Sequence, residues 1–299
     1  YNESEGELKT RNQFVGNAWS SGGNLNTAKN QMGSAGTQTS ALSFGGSTPP
    51  VVAETELYNG SSWTELNDLN TARRQLGGTG TSTSALGYGG ETATAIAVTV
   101  TESWAGTSWT EVADLNTAVA FAASAGASNT SALSIGGSLL GANESAKTES
   151  WNGSSWTEVN DLNTPRRQLA GNGIQTSALA FGGENPGNDT LAVTEAWNGT
   201  SWFEVNDLNT SRRLLGSAGS SEDASLAFGG ALSIGGFITS LPGNTTATEE
   251  WNADIAVGAW VTGGNMNTAR YALASANKGT RTSALVFSGG FPNKNETEN

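Results

Sequence analysis

The chain has 299 residues, a formal charge of −13, 40 glycines and 14% charged residues, with neither cysteine nor histidine. That excludes disulfides, thiol chemistry, Ser-His-Asp and Cys-His nucleophilic sites, imidazole acid–base work, and histidine- or cysteine-based metal sites. The acid excess disfavours nucleic acid and anionic membrane surfaces, no run approaches the roughly 18 apolar residues that cross a bilayer, and 36% apolar residues still allow a distributed core.

The chain opens with Tyr1-Asn2, an extra segment at 3–12, and a predicted strand over about 13–20 that contains Trp19. Six residues after Trp19 comes Leu25-Asn26-Thr27. The phrase returns at Leu69, Leu115, Leu162 and Leu208, with Met266-Asn267-Thr268 as a sixth copy, at spacings of 44, 46, 47, 46 and 58 residues. Each copy has a Trp six residues before it and a Gly-Gly pair about twenty after it. A period in the forties with a diglycine and paired aromatics predicts a four-stranded propeller blade repeated around an axis.

Within one repeat the elements follow in a set order. Basic residues come just after Leu-Asn-Thr: Lys29, Arg73, Arg74, Arg166, Arg167, Arg212, Arg213 and Arg270, while the third repeat has Val119-Ala120 instead. A short apolar strand follows, at Ser40 to Phe44, Ser84 to Tyr88, Ser131 to Ile135, Ser177 to Phe181, Ala224 to Phe228 and Ser283 to Phe287. It ends in Gly-Gly, which suits a turn or a close backbone approach. After a loop of variable length, the next strand ends in Thr-Glu-x-aromatic, with Glu56, Glu102, Glu149, Glu195, Glu249 and Glu298. An Asn-Gly turn then predicts a tight hairpin, and the outer strand opens with Trp63, Trp109, Trp156, Trp202 or Trp260. All ten tryptophans fall in these two aromatic columns, which assigns them to packing between blades.

Thr297-Glu298-Asn299 begins a phrase that Tyr1-Asn2 continues. The expectation is a single all-β domain over 1–299: a six-bladed propeller, four antiparallel strands per blade, closed by the N-terminal strand completing the last blade. Closure removes open sheet edges.

An apolar strand ending in Gly-Gly, then an aromatic, a Trp, and the phrase Leu162-Asn163-Thr164-Pro165-Arg166 resembles the kelch repeat, in six copies over the whole chain. The resemblance implies a β-propeller. The wording SALAFGG and WNGSSWTEVNDLNT is also similar to kelch-type propellers of virion and tail-fibre proteins of marine bacteriophages. Kelch enzymes of the galactose oxidase type use histidine around copper, so that activity does not carry over to a histidine-free chain. A sialidase repeat box has Asp before Gly and Trp, an Asp that WNGSSW lacks.

Two readings of the basic column stay open. In one, Arg73, Arg166 and Arg212 pair with repeat acids such as Glu149 and Glu195 and hold the scaffold. In the other, Arg74, Arg167 and Arg213 form a basic collar at one channel mouth, suited to an anionic glycan or carboxylate. The acids are spread evenly, so no carboxylate pair for glycoside hydrolysis stands out, and the loop at Glu184 to Asp189 has no calcium-loop pattern. Departures from the repeat point to binding: the insertion Ala231 to Gly243, with Ile234, Phe237 and Ile238, the segment at 3–12, and the longer hairpin Asn252 to Ala259. The functional expectation is a non-catalytic virion or extracellular module (phage tail, fibre or decoration type), without cofactor or metal, docking to protein partners. A lectin-like glycan-binding propeller is the alternative, and a glycosidase the third.

Overall fold

The computed structural model describes residues 19–139, 143–221, 224–232, 243–253, 259–276, 283–290 and 295–299. Over these residues the chain is all-β: small antiparallel sheets stand around an axis as a six-bladed β-propeller. From the axis outward, blade one holds Gly33–Thr37, Ser40–Phe44, Thr55–Tyr58 and Trp63–Glu65. Blade two repeats this with Gly77–Thr81, Ser84–Tyr88, Thr101–Trp104 and Trp109–Glu111, and blade three with Ala123–Ser128, Ser131–Ile135, Thr148–Trp151 and Trp156–Val159. Blade four has Ala170–Ile174, Ser177–Phe181, Thr194–Trp197 and Trp202–Val205, and blade five Gly216–Ser221, Ala224–Phe228, Thr248–Asn252 and Ala259–Thr262.

Blade six has three named strands, Ala274–Ser275, Val286–Phe287 and Thr297–Glu298. Its second strand is shorter than the predicted Ser283 to Phe287. Outside Thr297–Glu298 lies the N-terminal segment: Ser21 bridges Glu298, Ser20 N–H donates to Asn299 O (2.8 Å), and Gly22 N–H donates to Thr297 O (2.9 Å). Residues 13–18 of the predicted closing strand lie outside the described residues.

Crowding at the axis explains the small residues of the innermost strands. A Cβ at Gly78 would stand 2.6 Å from the backbone nitrogen of Ser34 in the neighbouring blade, and one at Gly33 would stand 2.3 Å from the Phe44 ring. The diglycines serve the next crossing. Gly45 and Gly46 have φ of 65° and 106°, a Cβ on Gly45 would meet Arg73 O at 2.5 Å, and Gly46 N–H donates to that carbonyl at 2.7 Å. No residue with a Cβ meets both demands. The Asn-Gly turn is longer than the expected two-residue hairpin. Tyr58 pairs Trp63, so four residues separate the partners, and Asn59 Oδ1 accepts from the N–H groups of Ser61 and Ser62. The asparagine side chain supplies the turn's acceptor.

The apolar core is divided among the blade junctions. Phe44 of blade one packs on Trp109 of blade two with centroids 4.7 Å apart, and Tyr88 on Trp156 of blade three at 4.9 Å. Each outer Trp also leans on its hairpin partner, as Trp104 on Trp109 at 5.4 Å. Both tryptophan columns are buried from blade one to blade five, so their rings are unavailable to stack on a ligand. Trp156→Ala empties a junction between two blades and removes the Trp156 Nε1 bond to Thr101 Oγ1 (3.0 Å). We expect a loss of about 3–5 kcal/mol in a urea unfolding titration.

Candidate functional site

The Leu-Asn-Thr phrase is the joint between blades. Its apolar residue is buried in every copy. The asparagine N–H donates to Oε2 of the third-strand glutamate in the next blade: Asn26 to Glu56, Asn70 to Glu102, Asn116 to Glu149, Asn163 to Glu195, Asn209 to Glu249 and Asn267 to Glu298, all at 2.7 or 2.8 Å. The asparagine Nδ2 donates to the carbonyl of that blade's outer tryptophan, and Asn267 reaches Trp19 O at 2.8 Å. The repeat aspartates do something different. Asp68, Asp114 and Asp207 accept the N–H that opens a third strand, as from Thr55 to Asp68 at 3.1 Å.

The first basic residue completes the joint. Arg73 donates to Gly89 O (2.9 Å), Val100 O (2.6 Å) and Glu102 (2.9 Å). Arg166 pairs with Glu195 at 3.2 Å, Arg212 with Glu249 at 2.8 Å and Arg270 with Glu298 at 2.7 Å, while Lys29 lies 3.5 Å from Glu56. These cations are buried. Burial pulls Arg166 down to about 10, against the opposing pull of Glu195, so it stays charged at neutral pH. Lys29, Arg73 and Arg212 are lowered for the same reason.

Blade three differs because Val119 stands where its neighbours have a cation. Among the described residues no ion pair reaches Glu149, which is buried all the same. It accepts from Asn116 N–H (2.8 Å), Asn116 Nδ2 (2.9 Å) and Thr117 N–H (2.9 Å). The matching threonine bonds to Glu102 and Glu195 are longer, 3.3 Å, where an arginine shares the oxygen. Hydrogen bonds to the charged form thus replace the counter-ion.

The second basic residue stands beside the channel mouth, and each arginine there has an acid. Arg74 lies 3.2 Å from Glu91. Arg167 contacts Glu184 at 2.7 Å and Glu144 at 3.2 Å, and Arg213 also bonds Glu184. Glu184 is buried between the two guanidiniums, and burial together with Arg167 lowers Arg213. Against Arg74, Arg167 and Arg213 stand Glu91, Glu184 and Glu144, so the collar carries no excess charge.

One residue further along, the chain builds a feature that no sequence motif announces. Gln31, Gln75, Phe121, Gln168, Leu214 and Ala272 take φ between 50° and 57°. The N–H of each donates to the carbonyl of the one before: Gln75 to Gln31 (2.6 Å), Phe121 to Gln75 (3.0 Å), Gln168 to Phe121 (3.2 Å), Leu214 to Gln168 (2.8 Å), Ala272 to Leu214 (3.0 Å) and Gln31 to Ala272 (3.2 Å). Six peptide groups close a hydrogen-bonded annulus around the axis. Left-handed backbone costs a residue with a Cβ roughly 1–2 kcal/mol. The annulus residues, with the residue after each, line an open basin of about 110 Å³. Their identities vary from blade to blade, so the column gives no motif, and only its constant place in the repeat marks it.

The remaining departures lie elsewhere. Ile234, Phe237 and Ile238 fall outside the described residues. The ends of the insertion at Ala231 and Gly243 lie between second and third strands, at the annulus end of the blade, whereas the hairpin pair Asn252 and Ala259 lies at the opposite end. The two insertions therefore stand at opposite ends of the blade, because connections alternate between the two ends of a four-stranded blade. Phe203 and Val261 are 43% and 45% exposed on the outer strands of blades four and five. Blades one to three have Thr64, Thr110 and Thr157 at that position.

No protein-family model matches the sequence, and no curated protein does. Among solved structures the chain is similar to the one titled "Structure of YjhT", with a TM-score of 0.74 and 12% identity over 92% of this chain and 95% of that one. At that identity the likeness shows the propeller fold. Among the described residues no group of three or more His, Cys, Asp or Glu is placed to hold a metal, and no helix is long and apolar enough to cross a membrane.

The two kinds of joint predict unequal costs. Glu102→Gln leaves Arg73 buried without its counter-ion, at about 3–5 kcal/mol. Glu149→Gln strands no cation and should cost about 1–3 kcal/mol. Parallel denaturant titrations of the two variants compare them directly.

Proposed function

We propose that the chain is a non-catalytic binding propeller of a virion or other extracellular surface, of the tail, fibre or decoration type, which docks to protein partners through positions that depart from the repeat. The observation that carries this reading is the exposed Phe203 and Val261, on the outer strands of two neighbouring blades at a position that is threonine in blades one to three. Apolar side chains held in water on a rim suit a contact with protein. Val261 belongs to the blade that bears the Ala231 to Gly243 insertion, and Phe203 to the blade before it. The kelch-like phrasing and its likeness to marine phage propellers support a virion setting. The non-catalytic part draws support from the repeat acids and first-column cations, which are committed to the joints between blades.

A second reading, a glycan-binding propeller, is favoured by the axial basin with its amide and aromatic lining. In the first reading, an antibody against the propeller detects it in purified particles from the source culture. The double variant Phe203→Thr, Val261→Thr should keep its unfolding temperature and lose incorporation into those particles at least tenfold, as measured by quantitative blotting. Full incorporation of the double variant removes the rim from the interface. Release of reducing sugar from any glycan by the purified chain would sink the non-catalytic assignment.

A further inference from the structure

We infer that the axial basin is a site for one uncharged sugar ring at the end of a glycan, an inference that rests on the second reading above and gives it a place and a ligand. The first support is positional. At the diglycines of blades one to five positive φ is taken by glycine, with Ser288 in the matching place of blade six, and the chain is rich in glycine and asparagine, the residues that tolerate it best. The six annulus positions carry side chains instead, and backbone strain of this kind gathers where side chains serve binding or chemistry.

The second support is the choice of side chains. By their order around the annulus, Gln31 stands across the axis from Gln168, and Phe121 across from Ala272. Two glutamines thus stand at opposite ends of one diameter, and an aromatic and a small residue at opposite ends of another, all lining the basin. Amides both donate and accept, which suits hydroxyl groups, and an aromatic wall suits the C–H face of a pyranose. Gln168 Oε1 is shielded and accepts no hydrogen bond from the described residues. Gln75, with its amide nitrogen turned to donate, is held by Glu91 at 3.2 Å from both carboxylate oxygens.

The third support is charge. The arginines around the mouth are matched by Glu91, Glu184 and Glu144, so among the described residues a carboxylate or sulfate finds no free cation there. This replaces the anionic ligand expected of a basic collar with a neutral one. The open basin is small, about 110 Å³, which suits the end of a glycan rather than a run of several sugars.

Ligand-observed NMR titration of the whole chain tests this with methyl glucoside, galactoside, mannoside and N-acetylglucosaminide, and with methyl glucuronide as the anionic control. We expect one or more neutral glycosides to bind with a dissociation constant on the order of 1 mM and the glucuronide to bind at least tenfold more weakly. Phe121→Gln and Gln168→Leu each install a side chain that another blade already carries at the same left-handed position, so both variants should fold, as checked by their unfolding temperatures. Each should weaken binding at least tenfold. Neutral binding unchanged in both variants, or preference for the glucuronide, overturns the basin as the site and leaves the glycan reading in place. Silence of the wild-type chain in the titration and on a glycan array overturns both.

Discussion

Each blade junction depends on a buried carboxylate. The third-strand glutamate lies between sheets, where an unsatisfied charge costs several kcal/mol. It is admitted only because the preceding repeat delivers donors to it: a backbone N–H of the Leu-Asn-Thr phrase in every junction, the asparagine amide in four of the six, and a basic side chain in five. The same arginine binds the carbonyls at the end of the second strand and before the third. One side chain therefore sets the distance between the crossing segment and two strands of the next blade. The tryptophans fill the space this leaves, and the Trp Nε1 to Thr Oγ1 bonds, as from Trp109 to Thr55, tie the outer strands of blades one to five to the third strand of the blade before.

Two junctions show how far the arrangement bends. In blade three the arginine is gone, and Glu149 draws its threonine N–H closer, so hydrogen bonds take over from a counter-ion. Where blades five and six meet, the outer strand of blade six comes from the other end of the chain. Trp19 packs on Phe228 as the other outer tryptophans pack on their second-strand aromatics, yet its Nε1 donates to Gly264 O. Thr248 Oγ1 is left without a hydrogen bond among the described residues. An outer strand supplied by the other end of the chain holds its packing and its Asn267 bond, and loses the threonine bond that a continuous hairpin positions.

Repetition also separates scaffold from function. A side chain present in every blade meets the same surroundings six times and is explained by the joint. A ligand or partner meets the ring once, so its site must be made of differences. The differences among the described residues include the rim, where Phe203 and Val261 replace threonine, and the axis, where three glutamines share a backbone conformation with Phe121, Leu214 and Ala272. The arginines at the mouth look like a cationic ring only while their partners are unseen. Glu91, Glu184 and Glu144 come from loops of unequal length, which carry no repeat pattern by which to pair them.

The architecture was legible because its causes are local and recur. The diglycine, the Thr-Glu-x-Trp phrase and the Leu-Asn-Thr phrase are each imposed by contacts that every blade makes, so period and phrase alone determined blade number, strand order and the two tryptophan columns. The sequence also determined which residues break the pattern. Tertiary structure decided what the breaks mean. Whether Arg213 faces water or Glu184 depends on a loop some thirty residues away, and the annulus exists only when six segments from six blades meet at one axis. No local rule marks Phe121 or Gln168 for a left-handed backbone, because the carbonyl that holds each of them belongs to the neighbouring blade.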